Sequence, residues 1–353
     1  MVTVLQVASK AAGGGLERLV GDIGDRLEAS GWRSVFAFYD GEPPSGRSSE
    51  YVKLHKTGTG RGWPGALRRL CSELRPDIVH LHDPGPGSLG AIAARAAGME
   101  FVVYSDHTIH GLRPWRYRAA RTLTARLPTV NVAVSRAVAG SLHRDAGVPR
   151  DRIVVIRNGT DAAPEVQLPD AHEDPRLLYV ANLWPWKGHR FLVEAVGLLL
   201  DDGVRVTADL AGDGEMLRPL RELVQARGLE DRVRFLGRVD DPWADPPHVY
   251  VHPSAQDGLP LALLEAMVRG LPVIASRIAG IPEVIRDDVN GSLVPPEDAG
   301  ALADAIARSI ADPERARRLG RAGRMTVLAD WLIERTIEGH LQLYRRLLDG
   351  AWS

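Results

Sequence analysis

The stretch S-A-Q-D-G-L-P-L-A-L-L-E-A-M-V-R-G, Ser254 to Gly270, sets two carboxylates around an otherwise apolar run. Asp257 stands in a turn with Gly258, and Glu265 follows eight residues later among leucines, alanines and a methionine. Pro260 suits the first position of a helix, where its missing N–H costs nothing, and Gly270 suits the stop. Leu261, Leu263, Leu264, Ala266, Met267 and Val268 cover nearly the whole circumference, so the pattern predicts a buried helix. A buried carboxylate without donors is strongly unfavourable. Glu265 must therefore meet either a protein donor or the hydroxyls of a ligand. The N–H groups of Gly258 and Leu259 at the positive end of the helix invite an anion. Glu265 would lie about 8–10 Å further along, judged from the helix rise. That span suits a nucleotide diphosphate, with phosphate at the helix start and ribose near Glu265. Asp257 would then sit beside whatever group the phosphate carries.

Other residues invite comparable chemistry. In V-A-N-L-W-P-W-K-G, Lys187 follows a strand and opens a helix, where its charge can neutralise a diphosphate. Trp184 and Trp186 beside it read as packing or rim residues. Gly13, Gly14 and Gly15 end the first strand and open the first helix. They are not a dinucleotide fingerprint, because the third glycine of that pattern would fall on Arg18. Bare glycines at a helix start still let backbone approach a phosphate or sugar. His107 ends the strand F-V-V-Y-S-D, with His110 close behind. His80 and His82 share one face of V-H-L-H-D, but no third ligand accompanies them, so a metal site is not expected. Residues 113–127 interleave Arg113, Arg116, Arg118, Arg121 and Arg126 with Trp115 and Tyr117. This segment either touches a lipid headgroup or anionic acceptor, or is a solvated helix with Ala120, Leu123 and Leu127 turned inward.

These residues need a frame to hold them. The 353 residues suggest two domains. Forty-four basic against 45 acidic side chains give no bias toward nucleic acid or an anionic surface. The lone cysteine, Cys71, allows no internal disulfide. With no signal-like amino terminus and no apolar run of spanning length, a cytoplasmic protein is expected, either free or peripheral at the inner face of the membrane.

Short apolar runs alternate with amphipathic ones. Strands are expected at V-T-V-L-Q-V-A, R-S-V-F-A-F-Y, D-I-V-H-L-H-D, F-V-V-Y-S-D, T-V-N-V-A-V-S and R-I-V-V-I-R-N. The second half repeats the plan with R-L-L-Y-V-A-N-L, R-V-T-A-D-L-A-G, V-R-F-L-G, V-Y-V-H-P-S, P-V-I-A-S and G-S-L-V-P. The reading is α/β: two Rossmann-like doubly wound domains, facing each other across a cleft. Boundaries are expected at 1–160 for the first, acceptor-side domain, 161–176 for a Pro- and acid-rich linker and 177–325 for the second domain. Residues 326–353 should form a terminal helix packing back toward the first domain. The Pro/Gly/Ser-rich Asp40–Ser49 reads as an acceptor-side loop or a disordered connector.

The acid pair Asp257 and Glu265, followed by E-A-M-V-R-G-L-P-V-I-A-S and G-I-P-E-V-I, closely resembles the donor-site signature of retaining glycosyltransferases of family 4, of the GT-B type. G-G-G-L-E-R-L-V, N-V-A-V-S-R-A-V, V-V-I-R-N-G-T-D, L-A-G-D-G-E-M-L, V-R-F-L-G-R-V-D-D and N-G-S-L-V-P-P-E-D look like family landmarks in family order. The resemblance implies a sugar moved from a nucleotide-diphosphate donor with retention, without a metal or other cofactor and without nucleic acid. It implies that Glu265 holds the ribose and that Gly258, Leu259, Lys187, Gly14 and Gly15 serve the diphosphate. Asp257 and His107 would orient the transferred sugar, and the Arg238–Val239 backbone would hold the base. Two departures stand out: Asp257 replaces the family's first glutamate, and Asn182 replaces the arginine usual five positions before the lysine. A sugar-nucleotide 2-epimerase and a degenerate sugar-nucleotide-binding protein are the rival readings. The acceptor is not legible.

Overall fold

The computed structural model describes the chain except residues 13, 55–61, 83, 113, 170–173 and 352–353, and describes residues 84–86 by backbone alone. Gly13 and Arg113 therefore lie outside the described residues. The chain divides into two units, Met1–Arg157 with Glu334–Ser353, and Asn158–Ile333.

The first unit is built on a seven-stranded parallel sheet: β1 (Thr3–Val7), β2 (Arg33–Phe38), β3 (Glu50–Lys53), β4 (Ile78–His82), β5 (Phe101–Asp106), β6 (Val130–Ala133) and β7 (Ile153–Val155). Their order is β3-β2-β1-β4-β5-β6-β7. Six of these were legible as apolar runs. β3 was not: E-Y-V-K is short, charged at both ends and at the sheet edge, so no continuous apolar run marks it. Leu5, Val7, Val79, Leu81, Val102 and Tyr104 pack on one face against Leu67 and Cys71. The helix Gly15–Ala29 buries Leu19, Val20, Ile23 and Leu27, and Gly31 ends it at positive φ. The terminal helix Ile333–Leu348 buries Ile337, His340, Tyr344 and Leu347 at helical spacing, and Tyr344 meets the ring of Trp32 and the imidazole of His80. The segment Asp40–Ser49 is anchored: Arg47 pairs with both Asp22 and Asp25.

The helix Trp115–Leu123 reverses the expected orientation. Arg121 is only 4% exposed, donates to Asn131 Oδ1 and lies 4.6 Å from the centre of the Tyr104 ring. Ala120 is exposed, and Leu123 is 86% exposed. An amide and an aromatic face on neighbouring strands give the guanidinium a better inward fit than an aliphatic chain would have. Arg121 therefore belongs to the packing, not to the solvated face.

The second unit carries a six-stranded parallel sheet: β8 (Arg176–Val180), β9 (Thr207–Ala211), β10 (Val233–Gly237), β11 (Val249–His252), β12 (Val273–Ser276) and β13 (Ser292–Val294), in the order β10-β9-β8-β11-β12-β13. All six expected strands are present. The described residues of 161–175 include no helix or strand before Arg176 opens β8, yet the segment lies in this unit. Ala163 O accepts from Arg324, and Val166 N–H donates to Arg269 O. Among the described residues no helix is long and apolar enough to cross a membrane.

Candidate active site

In the second sheet the strand order reverses between β8 and β11, the place where open parallel sheets hold ligands beyond their carboxyl ends. The loops after these two strands are locked together. Gly188 sits at φ +71, and a Cβ there would collide with Pro253 O. Trp186 O accepts the N–H groups of Ala255 (2.9 Å) and Gln256 (3.2 Å). The Tyr179 hydroxyl donates to Lys187 O at 2.7 Å.

This locking brings Lys187 Nζ to 2.5 Å from Asp257 Oδ2. His252 Nε2 (3.3 Å) and Ser254 Oγ (3.5 Å) approach the same carboxylate oxygen. Burial alone would push the Asp257 carboxyl up. The Lys187 charge and the bond from His252 outweigh it and hold Asp257 well below the usual carboxylate range. Burial lowers His252 despite its acidic neighbour, so a neutral ring donates from Nε2 and accepts from the Tyr250 hydroxyl at Nδ1. The result is a mostly buried salt bridge at the mouth of the sheet.

Just beyond Asp257 the chain turns into the helix Leu261–Val268, with Pro260 as its extended N-cap. Gly258 O accepts from Gly280 N–H, and Leu259 O from Asn158 Nδ2, so the carbonyls are used. The Gly258 and Leu259 N–H groups have no partner among the described residues. Glu265 is buried in mid-helix, and its Oε2 accepts from Trp243 Nε1 at 3.3 Å. Arg269 donates to the Glu265 carbonyl and stacks over Trp243 at 5.1 Å. Of the two readings of Glu265, a protein donor is thus present at one carboxylate oxygen. Sequence reasoning missed Trp243; its only signal was a tryptophan in the polar turn V-D-D-P-W.

Asn182 lies at the end of β8, and its side chain makes no hydrogen bond to the described residues. Arg238 and Val239 are exposed just past β10, the edge strand. The second unit thus gathers Lys187, Asp257, Gly258 and Leu259, and puts Glu265 on the helix that follows. It leaves Arg238 and Val239 on the sheet's flank.

In the first unit the order reverses between β1 and β4. Gly14 caps the helix Gly15–Ala29 in extended conformation without a side-chain bond, and Gly15 is exposed at its start. The rest of this switch point is histidine. His80 bonds the Tyr344 hydroxyl (2.6 Å) and Ser105 Oγ (2.7 Å), and His82 bonds Gln6 (3.2 Å). The His80 and His82 rings lie 4.0 Å apart; His340 lies 5.4 Å from His80 and His107 6.1 Å from His82. Burial lowers all four, His107 and His340 to about 4, and their like charges would add to that. His107 Nε2, His82 Nδ1 and His340 Nε2 have no hydrogen-bond partner among the described residues. Among the described residues no group of three or more His, Cys, Asp or Glu side chains is arranged to hold a metal. His110 is buried beneath the turn that Ser141 holds.

Two family models match the chain. "Glycosyltransferase Family 4" covers residues 13–163 and "Glycosyl transferases group 1" covers residues 165–326. An Escherichia coli UDP-Gal:alpha-D-GlcNAc-diphosphoundecaprenol alpha-1,3-galactosyltransferase is 31% identical over 69% of this chain and 68% of its own length. An alpha-maltose-1-phosphate synthase of Mycolicibacterium smegmatis is 29% identical over 85% of this chain and 88% of its own. Among solved structures, the Anabaena protein Alr3699/HepE in complex with UDP-glucose is similar with a TM-score of 0.86 and 22% identity, covering 99% of this chain and 100% of that one.

Proposed function

From the premise that this chain belongs to the family 4, group 1 glycosyltransferases of the GT-B fold, we propose that it moves a hexose or N-acetylhexosamine from a nucleotide-diphosphate donor to an acceptor, with retention and without a metal. The observation that carries the reading is the Lys187–Asp257 pair beside the unpartnered Gly258 and Leu259 N–H groups. An arriving diphosphate competes with Asp257 for Lys187 Nζ and takes the two N–H groups. Asp257, released from Lys187, accepts from hydroxyls of the transferred sugar. Glu265, held by Trp243, accepts from the ribose hydroxyls. The charge that develops on the leaving phosphate is then stabilised by Lys187 and by the helix start. In this reading the leaving phosphate oxygen takes the acceptor proton on the face of attack, and the protein supplies positioning rather than a nucleophile. The nucleotide base rests on the Arg238–Val239 backbone.

Thermal shift with UDP, GDP and ADP, followed by turnover of the matching sugar nucleotides, tests the reading. One diphosphate should raise the melting temperature, and sugar transfer should need an acceptor and keep the anomeric configuration. Isomerised donor without acceptor would point to an epimerase. Binding without turnover would point to a degenerate site, and no binding at all would sink the proposal.

One exposed surface favours an acceptor at an anionic lipid surface. Trp115 is 75% exposed, and Leu112, Tyr117 and Leu123 are exposed with it, among the exposed Arg116, Arg118 and Arg126. The wild type should bind vesicles containing anionic lipid more tightly at low salt. The triple change Arg116→Gln, Arg118→Gln, Arg126→Gln should remove that salt-dependent part. Indifference to such vesicles would retire the membrane contact.

A further inference from the structure

Trp184 and Trp186 are not spent on the core. Their ring planes lie within 6° of each other at 5.7 Å between centroids, and Trp186 remains 39% exposed. The pair is held stiffly. Pro185 and Lys187 close a short 3-10 turn between the two tryptophans and the next helix. Lys187 N–H donates to Trp184 O, and Trp186 O takes both Ala255 and Gln256 N–H groups. The backbone that carries the indole of Trp186 is therefore tied to the segment that leads directly into Asp257. A large apolar ring left in water is unfavourable unless something covers it. Here its backbone, and in part its ring, is fixed in advance, beside a charged site that the turn itself completes.

We propose that the Trp184–Trp186 stack is a platform for a pyranose ring, with Trp186 as the contact residue. This rests on the sugar-nucleotide reading of the neighbouring site. An indole face carries negative quadrupole density, and the C–H-rich face of a pyranose presents weakly positive hydrogens. Such a face binds a sugar while leaving the hydroxyls free for Asp257 and solvent. The ring could belong to the donor's transferred sugar or to a sugar of the acceptor.

The test uses the whole protein as wild type, Trp186→Ala and Trp186→Phe. Calorimetry measures the diphosphate identified by thermal shift, its sugar nucleotide and, separately, maltose; tryptophan fluorescence follows each titration. Trp186→Ala should leave diphosphate affinity within about twofold and weaken a sugar-containing ligand by about five- to tenfold, with Trp186→Phe recovering part of the loss. A loss in sugar-nucleotide affinity assigns the platform to the donor sugar. A rise in the KM of a glycoside acceptor, or a loss of maltose binding, with donor affinity intact assigns it to the acceptor. Equal losses for diphosphate and sugar ligands, or no loss for either, overturn the platform. Absence of any nucleotide binding by the wild type overturns the donor-site reading instead. In that event the maltose titration alone decides: quenching that Trp186→Ala abolishes supports the platform, and none overturns it.

Discussion

The two sheets reverse their strand order at equivalent places, but they fill those places with opposite chemistry. At the β8–β11 reversal the chain buries a charge pair, Lys187 with Asp257. At the β1–β4 reversal it places bare glycine backbone and a file of four neutral histidines, His107, His82, His80 and His340. Like imidazolium charges so close cannot coexist in a dry site, so each ring stays uncharged; His80 and His82 bond hydroxyls and an amide, whereas His82 Nδ1, His107 Nε2 and His340 Nε2 bond none of the described residues. In the proposed function the charged site exchanges partners with an incoming anion. The histidine file instead helps to hold the terminal helix, because His80 on the sheet bonds Tyr344 and lies against the ring of His340 on that helix. One architecture thus gives one reversal to a charge pair and the other to neutral rings that join helix to sheet, with His107 at the end of the file.

The largest effect should come from acid. A histidine whose folded pKa lies below its unfolded value leaves the unfolded chain with more protons. Its contribution to stability is complete above the unfolded value near 6.5 and is lost as pH falls toward the folded value. For His107 and His340, both lowered to about 4, the loss at pH 5 is about 2 kcal/mol each. Asp257 has the same sign in a lower window: its depressed carboxyl contributes fully above its unfolded value near 3.8 and is lost only as pH falls below that, so it stays ionised at pH 5. His189, lowered to about 3 by burial, adds a comparable share from the second unit, and His252 a share of the same sign. Melting measured from pH 7.5 to 5 should fall steeply, and His340→Gln should flatten the dependence. A flat profile in the wild type would mean that the file is hydrated or already charged.

Next in size is the charge pair itself. Lys187→Ala leaves a mostly buried carboxylate with only neutral donors, and should cost about 2–4 kcal/mol of stability and most of the turnover. Adding Asp257→Leu should restore much of the stability and none of the activity. If the double variant is no more stable than Lys187→Ala alone, the pair is not coupled as its 2.5 Å contact requires.

The contrast between the reversals was only half visible in the sequence. Local patterns were legible: twelve of thirteen strands, the stop at Gly270 and the opening helix all follow from runs of residues close in the chain. The pairings were not. Lys187 and Asp257 are 70 residues apart, Glu265 finds Trp243 in a turn 22 residues upstream, and His80 finds Tyr344 across 264 residues. No periodicity records such contacts, which exist only once the sheets have formed. Arg121 misled for the same reason: its partners Asn131 and Tyr104 lie on other strands, so an apolar-inward rule applied to one helix picked the wrong face.

Within the charged reversal, Glu265 separates fold from ligand. Glu265→Gln keeps an acceptor for Trp243 Nε1 but removes the charge, so melting should change little while nucleotide affinity falls by about 1–3 kcal/mol. A variant that unfolds, with its folded fraction binding nucleotide normally, would make Glu265 a packing residue tied to Trp243.

The smallest effect sharpens the charged reversal further. A nucleotide diphosphate brings about two negative charges, and the proposed site answers with Lys187 and a helix start equivalent to roughly half a charge. Lys187 is moreover already matched by Asp257 before ligand arrives, so its attraction for phosphate is partly offset. Asn182 lies on the same loop, five residues earlier, with a side chain that bonds to none of the described residues. A guanidinium at that position would add a full charge without breaking a hydrogen bond to those residues. Asn182→Arg should therefore tighten diphosphate binding by about 1 kcal/mol, and the gain should shrink as salt rises. Calorimetry at two ionic strengths reads both parts. A gain that ignores salt would come from packing rather than charge. No gain would place the phosphates away from the β8 loop, on the side of the Gly258–Leu259 turn alone.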